Sequence, residues 1–212
     1  MSDLKVDGIT AATANTAVTI KGLGTGKVVL GDGNLVFPDA DGAAGTFITT
    51  NGSAALSFAT AGKIAQVAFV QDGAAKSGTT QFALDNTTPQ ISEGNEFMTL
   101  AISPTASDST LHISVTAYLD MATTTTGMIA ALFVGTTANA LAAALDHSGQ
   151  GDLTEGTNLS AVMTSGTTDA LTFRVRGGAY ISGTMYFNQG STSGAYFGGK
   201  MASTITIMEI LA

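Results

Sequence analysis

The 212-residue sequence contains no cysteine and no tryptophan, only three prolines, and few charged residues. The absence of cysteine excludes a disulfide framework and metal sites built from thiolates. Charged residues account for 11% of the chain, whereas about 25% is usual for a soluble domain. Residues 1–7 lack the basic stretch and apolar run of a secretion signal, so no signal peptide is expected.

Positive charge is the scarcer sign. Lysine and arginine total 8 against 16 aspartates and glutamates, which gives a net charge of −8. Nucleic acids and anionic membranes bind clusters of basic side chains, so neither is expected as a partner. With a mean hydropathy of +0.30, a lone chain would expose a surface poor in charge. We therefore expect copies of the chain to cover one another in a homo-oligomer.

One uncharged segment, residues 121–145, is long enough to mimic a membrane span. A transmembrane helix needs about 20 predominantly apolar residues, but here the apolar run ends at Val134 and threonines flank it. The pattern instead predicts a buried strand over residues 128–134. The alanine-rich residues 138–145 are the only segment whose pattern is compatible with a short helix.

Alternation of apolar and polar residues predicts half-buried strands at residues 111–119 and 171–176, the second with both arginines outward. Residues 64–70, 128–134 and 205–211 are apolar on both faces and predict strands buried on both sides. Further strands are predicted at residues 79–84, 98–102, 159–164 and 181–187. Short strands separated by turn residues predict an all-β antiparallel sandwich, a jelly roll, over residues 61–212.

Residues 1–60 show a different pattern, with short apolar pieces and dense turns. Asp32-Gly33 and Asn51-Gly52 are typical of two-residue hairpin turns. Strands this short bury too little apolar surface for an independent core. We expect this region to be a β-rich anchoring stalk or collar that folds only as an oligomer.

A search for chemistry finds no catalytic constellation. His112 lies on the outward face of a predicted strand, and the neighbouring side chains of Asp146-His147-Ser148 diverge, so they cannot form a catalytic triad. Residues 39–42 begin like a calcium loop but continue with alanine, and residues 22–27 lack the spacing of a phosphate-binding loop. No catalytic, cofactor or metal site is predicted, and the chain is not expected to be an enzyme.

Two loops are candidates for contact with a receptor, because loops on a rigid sandwich usually carry binding. In residues 146–157, Asp146, Asp152 and Glu155 offer carboxylates that can accept sugar hydroxyls or hold a cation. In residues 190–199, Tyr196 offers an aromatic face for the apolar side of a sugar ring. The sequence leaves open whether the two loops lie at the same end of the sandwich.

Several segments resemble small bacteriophage virion fibre, spike or decoration proteins. Residues 26–38, 50–53 and 56–58 look like the trimeric stalk or collar of such fibres. Residues 93–104, 130–133, 172–177 and 203–211 look like strands of their tumour-necrosis-factor-like jelly-roll head. The resemblance implies a homotrimer, located on the virion and attached through its stalk to capsid or tail proteins. It carries no catalytic residue onto any position of this sequence.

We therefore expect a non-enzymatic structural protein of a phage virion: a short fibre, a head spike or a capsid-decoration protein. Its head is expected to bind a host-surface glycan or protein. A lectin-like adhesive head from a bacterial surface layer is the alternative interpretation. A glycan hydrolase is a third, which the lack of an acid–base pair disfavours.

Overall fold

The computed structural model describes residues 29–30, 35–36, 42–43, 46–50, 56–60, 63–122, 126–148, 154–192 and 194–212. The chain divides into two compact units, Met1–Gly62 and Lys63–Ala212. The predicted turns at Asp32-Gly33 and Asn51-Gly52 lie outside the described residues, as do residues 22–27 and 39–41.

The first unit contains short antiparallel hairpins. Its described strands are β1 (Val29–Leu30), β2 (Leu35–Val36), β3 (Thr46–Thr50) and β4 (Leu56–Thr60). β1 pairs with β2, and β3 pairs with β4. In β3, the apolar side chains of Phe47 and Ile48 are 58% and 51% exposed. The dependence of this unit on oligomerisation stays a prediction.

The second unit is built from longer strands. Those described are β5 (Ile64–Asp72), β6 (Lys76–Gly78), β7 (Asn95–Ile102), β8 (Thr110–Met121), β9 (Thr126–Val134), β10 (Ala142–Ser148), β11 (Glu155–Thr164), β12 (Leu171–Ala179), β13 (Met185–Phe187) and β14 (Ser203–Ile210). A 3₁₀ turn follows β13 at Tyr196–Gly199. None of the helical segments in the described residues is long and apolar enough to cross a membrane.

Two antiparallel sheets form a sandwich. One has the strand order β10-β9-β12-β7, and the other has the order β5-β14-β8-β13-β6 with β11 on the second side of β8. β14 and β13 lie in line along one side of β8, because β14 pairs with residues 110–116 and β13 with residues 119–121.

The strand pairs are nested along the chain. β5 pairs with β14, β7 with β12, β8 with β11, and β9 with β10. Nested antiparallel pairs wrapped into two layers are the connectivity of a jelly roll. The prediction of an all-β, jelly-roll-like antiparallel sandwich is therefore confirmed.

The core lies between the two sheets and comes from alternating positions. Leu111 and Ile113 of β8, and Phe173 and Val175 of β12, are almost fully buried, as alternation predicts. In β14 every second residue from Ser203 is buried. Residues 205–211 therefore have one buried face, and the prediction that both faces are buried is wrong for this strand.

β9 is buried on both faces, as the sequence predicts. Its inward side chains join the main core, while Ile129, Ala131 and Phe133 form a second cluster with Phe82. Phe82 belongs to residues 79–94, which cross the outer face of the sheet, and its amide donates to the Ala179 carbonyl (3.0 Å). The predicted strand at residues 79–84 is therefore wrong: Phe82 covers the sheet and this segment is irregular.

Three further predictions are corrected. Residues 138–145 are not helical: β10 begins at Ala142, which is opposite Leu132 of β9, and this pairing overrides the helix propensity of alanine. Residues 64–70 are not buried on both faces, because β5 is an edge strand whose Val67 and Phe69 are 52% and 72% exposed. Within residues 181–187, only Met185–Phe187 forms a strand.

Candidate interaction surfaces

The two predicted contact loops lie at the same end of the sandwich. Leu119 of β8 is paired on both sides. Its neighbour on one side is Glu155, at the start of β11, and its neighbour on the other side is Phe187, at the end of β13. Asp146 of β10 is opposite Met128, shortly after the chain passes from β8 to β9. We call this the loop end, and its described residues are 72–76, 146–148, 154–155, 187–192 and 194–199.

The chain enters this unit at the opposite end of the sandwich. Ile64 is opposite Ile210, which is in turn opposite Thr110 at the start of β8. Leu119, by contrast, is close to the end of β8. At about 3.3 Å per residue, the strand separates Lys63 from the loop end by roughly 30 Å.

The carboxylates of the first loop belong to two edge strands, one from each sheet. Asp146 is half-buried on β10, and its Oδ1 accepts from the His147 amide (2.8 Å). Glu155 is half-buried at the start of β11, and Asp152 lies outside the described residues. Across the described ranges, no group of three or more His, Asp or Glu side chains could hold a metal ion. The structure brings Asp146 and Glu155 to one end without joining them in a metal site.

The exposed aromatic ring of the second loop is Phe197. Tyr196 is half-buried, and its amide donates to the Asn188 carbonyl (3.3 Å). Phe197 is 80% exposed, and its ring centroid is 6.3 Å from that of Tyr196. Its φ of +50° is a left-handed conformation that a bulky residue rarely adopts. Sequence reasoning missed Phe197, although the two glycines that follow it, which also have positive φ, were an available signal.

Asn188 anchors the loop end from inside. It is fully buried, and its Nδ2 donates to the carbonyls of Asp72 (2.6 Å) and Ala74 (3.2 Å). Its Oδ1 accepts from the amide (3.1 Å) and the hydroxyl (2.7 Å) of Ser203. One amide side chain, which is both donor and acceptor, thus links the chain after β5 to β13 and β14. It holds the base of the loop that presents Phe197.

A buried carboxylate organises the opposite end. Glu209 of β14 is fully buried. Its Oε1 accepts hydrogen bonds from the Thr105 amide (2.7 Å) and the Ser109 hydroxyl (2.7 Å). Its Oε2 accepts a hydrogen bond from Gln66 Nε2 (2.7 Å). Burial raises the pKa of Glu209, but the hydrogen bonds from Gln66, Ser109 and Thr105 outweigh it and lower the pKa to about 2. The ionised carboxylate fixes residues 103–109 to the sheet.

A groove of about 430 Å³ opens between β5 and β7 at one edge of the sandwich. Beside it, Lys76 Nζ donates to Asp72 Oδ2 (2.5 Å) and to the Phe97 carbonyl (2.6 Å). Burial raises the pKa of Asp72, but hydrogen bonds from Lys76 and the Ala74 amide outweigh it and leave the pKa below its ordinary value. Lys76 therefore links the two sheets at this edge.

The two histidines are on different sheets. His112 lies on the outer face of β8 and His147 on β10, and both are exposed. Within the part of the chain that the structure describes, neither ring is in a hydrogen bond with a hydroxyl or carboxylate. The arrangement provides no nucleophile–base pair.

The outer face of β5, β14, β8 and β11 is a surface without formal charge. The strand registers align its side chains in rows, each row running β5, β14, β8, β11. The rows are Val67, Met208, His112 and Val162; Phe69, Thr206, Ser114 and Ser160; and Gln71, Thr204, Thr116 and Asn158. We call this the β5–β11 face.

The β5–β11 face differs from the outer face of the other sheet. Phe69, Val162 and Val67 are 72%, 64% and 52% exposed. On the other sheet, Arg174 of β12 pairs with Glu96 of β7 at 2.9 Å. One outer face is therefore apolar and hydroxylic, and the other has a salt bridge.

No protein-family model and no curated protein sequence matches the chain. Among solved structures, it is similar to the VP2 subviral particle of infectious bursal disease virus, with 12% identity and a TM-score of 0.33 over 74% of this chain and 40% of that one. It is also similar to the CBM22-1 xylan-binding domain of Paenibacillus barcinonensis, with 12% identity and a TM-score of 0.35 over 73% of this chain and 99% of that domain. The match spans less than half of the VP2 chain. These are distant likenesses of jelly-roll-like β-sandwich domains, and they show no specific family.

Proposed function

We propose that the protein is a non-enzymatic structural component of a bacteriophage virion: a short fibre, a head spike or a capsid-decoration protein. It assembles as a homotrimer. Residues 1–60 form the stalk that attaches it to capsid or tail proteins, and residues 61–212 form the tumour-necrosis-factor-like head. The protein is made in the host bacterial cytoplasm and is exposed on the surface of the particle.

The two opposed ends of the jelly roll are the observation that carries this proposal. Lys63, through which the preceding residues connect, lies at one end, and the loops with Glu155 and Phe197 lie at the other. A protein attached through one end presents the other end outward. This arrangement is the one that a spike or fibre head anchored at one end requires.

Contact with the host is the proposed role of the loop end. Asp146 and Glu155 offer carboxylates to hydroxyl groups, and Tyr196 and Phe197 offer aromatic surface. The buried Asn188 holds the base of the aromatic loop, so the loop loses little conformational freedom on binding. A host-surface glycan or protein is the proposed partner.

Glu209 and the Lys76–Asp72 pair have structural partners that support a role without catalysis. Glu209 accepts hydrogen bonds from a neighbouring loop, and Lys76 bonds to Asp72 and a backbone carbonyl. Each is engaged in holding the fold, and none of these pairs has the arrangement of a nucleophile and its base.

A lectin-like adhesive head from a bacterial surface layer is the second candidate, because the same loop end would serve a cell-surface adhesin. Labelling distinguishes the two. Gold-labelled antibodies against residues 63–212 should decorate purified phage particles. Labelling of the envelope of uninfected bacteria, with particles unlabelled, would reject the virion proposal in favour of the adhesin. Release of sugar products from host glycans would reject both.

A further inference from the structure

We propose that copies of this chain associate with one another through the β5–β11 face. The inference rests on the proposed homotrimer and names the surface that joins its subunits. It starts from the three registered rows of this face, which contain no Asp, Glu, Lys or Arg.

The absence of charged side chains from the β5–β11 face favours another copy of this chain as its partner. The chain has a net charge of −8, so two copies repel one another wherever their acidic side chains meet. On the β5–β11 face this repulsion is absent, and no ion has to lose its hydration when the face is covered. A strongly basic or acidic partner would find no complementary charge there. In a closed trimer, the β5 side of this face on one copy would meet the β11 side on the next copy, and that contact meets neither obstacle.

The exposed apolar side chains provide the driving force for association. Val67 and Phe69 lie at one edge of the face on β5, and Val162 lies at the other edge on β11. Between them are Met208 and hydroxyl-bearing residues of β14 and β8. Covering such a patch removes apolar surface from water, and the hydroxyls can pair across the contact or keep bridging water.

The size of the face is compatible with a specific interface. Four strands spaced by about 4.8 Å, with three rows two residues apart, give a patch of roughly 400 Å² before side-chain relief is counted. A standard interface buries about 800 Å² of accessible surface per partner. The face can therefore supply about half of one subunit's share before side-chain relief is counted.

The edge position of β5 adds a second reason for coverage. β5 is an edge strand of its sheet. The one charged residue among Ile64–Asp72 is Asp72, at the end of the strand. A long apolar edge strand without an inward charge is open to pairing with other chains. Association that covers β5 and its face removes this liability.

The test is light scattering on the full-length chain at micromolar concentration, with two matched lysine substitutions. Val162→Lys places a charge on the β5–β11 face, at a 64% exposed position of an edge strand. Leu145→Lys makes the same change on edge strand β10 of the other sheet, at a 53% exposed position. Phe69→Lys repeats the test at the opposite edge of the face. Thermal unfolding of each variant checks that it is folded.

The wild-type chain and Leu145→Lys should have about three times the chain mass of 21.2 kDa. Val162→Lys and Phe69→Lys should dissociate, with an association constant at least about a hundredfold lower, because closing the contact would bury an unpaired lysine charge. Unchanged mass in both face variants overturns the inference, whether or not the protein is found on virions. A monomeric wild type overturns it too, while the labelling of particles tests the virion location separately.

Discussion

Glu209 and Asn188 are polar residues with buried side chains, and each holds one end of the jelly roll together. Glu209 accepts hydrogen bonds from residues 105 and 109, and Asn188 bonds to Asp72, Ala74 and Ser203. Neither was predicted from the sequence, because a single Glu in an apolar strand and a single Asn in a loop have no pattern. Their roles depend on partners distant in the chain, which only the fold brings near.

Replacing Glu209 by Gln should lower the free energy of unfolding at neutral pH by about 2 kcal/mol, because the new amide nitrogen would face hydrogen-bond donors. The native pKa of about 2 is below the ordinary value of 4.5. The stabilisation is therefore complete above about pH 4.5 and declines as the pH falls toward 2. Urea unfolding at about pH 7, 4 and 2 should show wild type and variant converging at the lowest pH.

The control for this experiment is Asp108→Asn, which neutralises an exposed carboxylate in the neighbouring loop. It should change stability by no more than about 0.5 kcal/mol. A difference between wild type and Glu209→Gln that stays constant across the pH range would contradict the assigned role of the ionised carboxylate.

Replacing Asn188 by Ala should cost about 3 kcal/mol, because buried groups on Asp72, Ala74 and Ser203 lose their partner. The variant also places Ala at a φ of +58°, which Gly adopts without strain. Asn188→Gly should therefore be the less destabilised of the two by about 1 kcal/mol. Denaturant unfolding measures both, and equal stability of wild type and Asn188→Ala would exclude the anchoring role.

At the scale of elements, the strands whose two faces differ were predictable. Residues 111–119 and 171–176 alternate, and both form strands with their apolar side inward. The prediction of secondary structure was wrong where contacts with another strand determine the conformation of a segment. Residues 138–145 are drawn into β10 by pairing with β9, and residues 79–84 lie over β9 with Phe82 buried.

Residues 79–94 cover the outer side of β9 through the side chain of Phe82. Phe82→Ala should lower the free energy of unfolding by about 3–5 kcal/mol, because Phe82 is 1% exposed and fills the second cluster with Ile129 and Phe133. Phe197→Ala is the matched control, since Phe197 is 80% exposed and should change stability by about 0.5 kcal/mol or less. Guanidinium unfolding compares them. Similar losses in the two variants would show that residues 79–94 do not complete the core.

At the scale of the whole molecule, the sequence predicted the all-β sandwich, but the arrangement of its loops came from strand register. Tyr196 is distant in the chain from Asp146 and Glu155, yet register places all three at one end. The β5–β11 face was likewise hidden, because its side chains come from four strands. Low charge and the apolar residues on both faces of residues 64–70 were the signals in the sequence that such a surface should exist.

Deleting residues 1–60 should leave a cooperatively folding unit, because every described side chain of the two hydrophobic clusters belongs to residues after Lys63. Circular dichroism and thermal unfolding of the shortened chain should show one transition. The shortened chain should no longer be incorporated into particles, because the proposed attachment lies in the deleted residues. Particles that still carry it would place the attachment in the jelly roll instead.

The position of β14 also sets the earliest point in synthesis at which the β5–β11 face can form. β14 is the last described strand in the chain, yet it lies between β5 and β8. Until it emerges from the ribosome, β5 lacks its neighbour and the row from Val67 to Val162 is interrupted where Met208 belongs. Pairing of distant segments makes folding slow. The proposed association through the β5–β11 face would therefore have to wait until residues 203–210 have been synthesised.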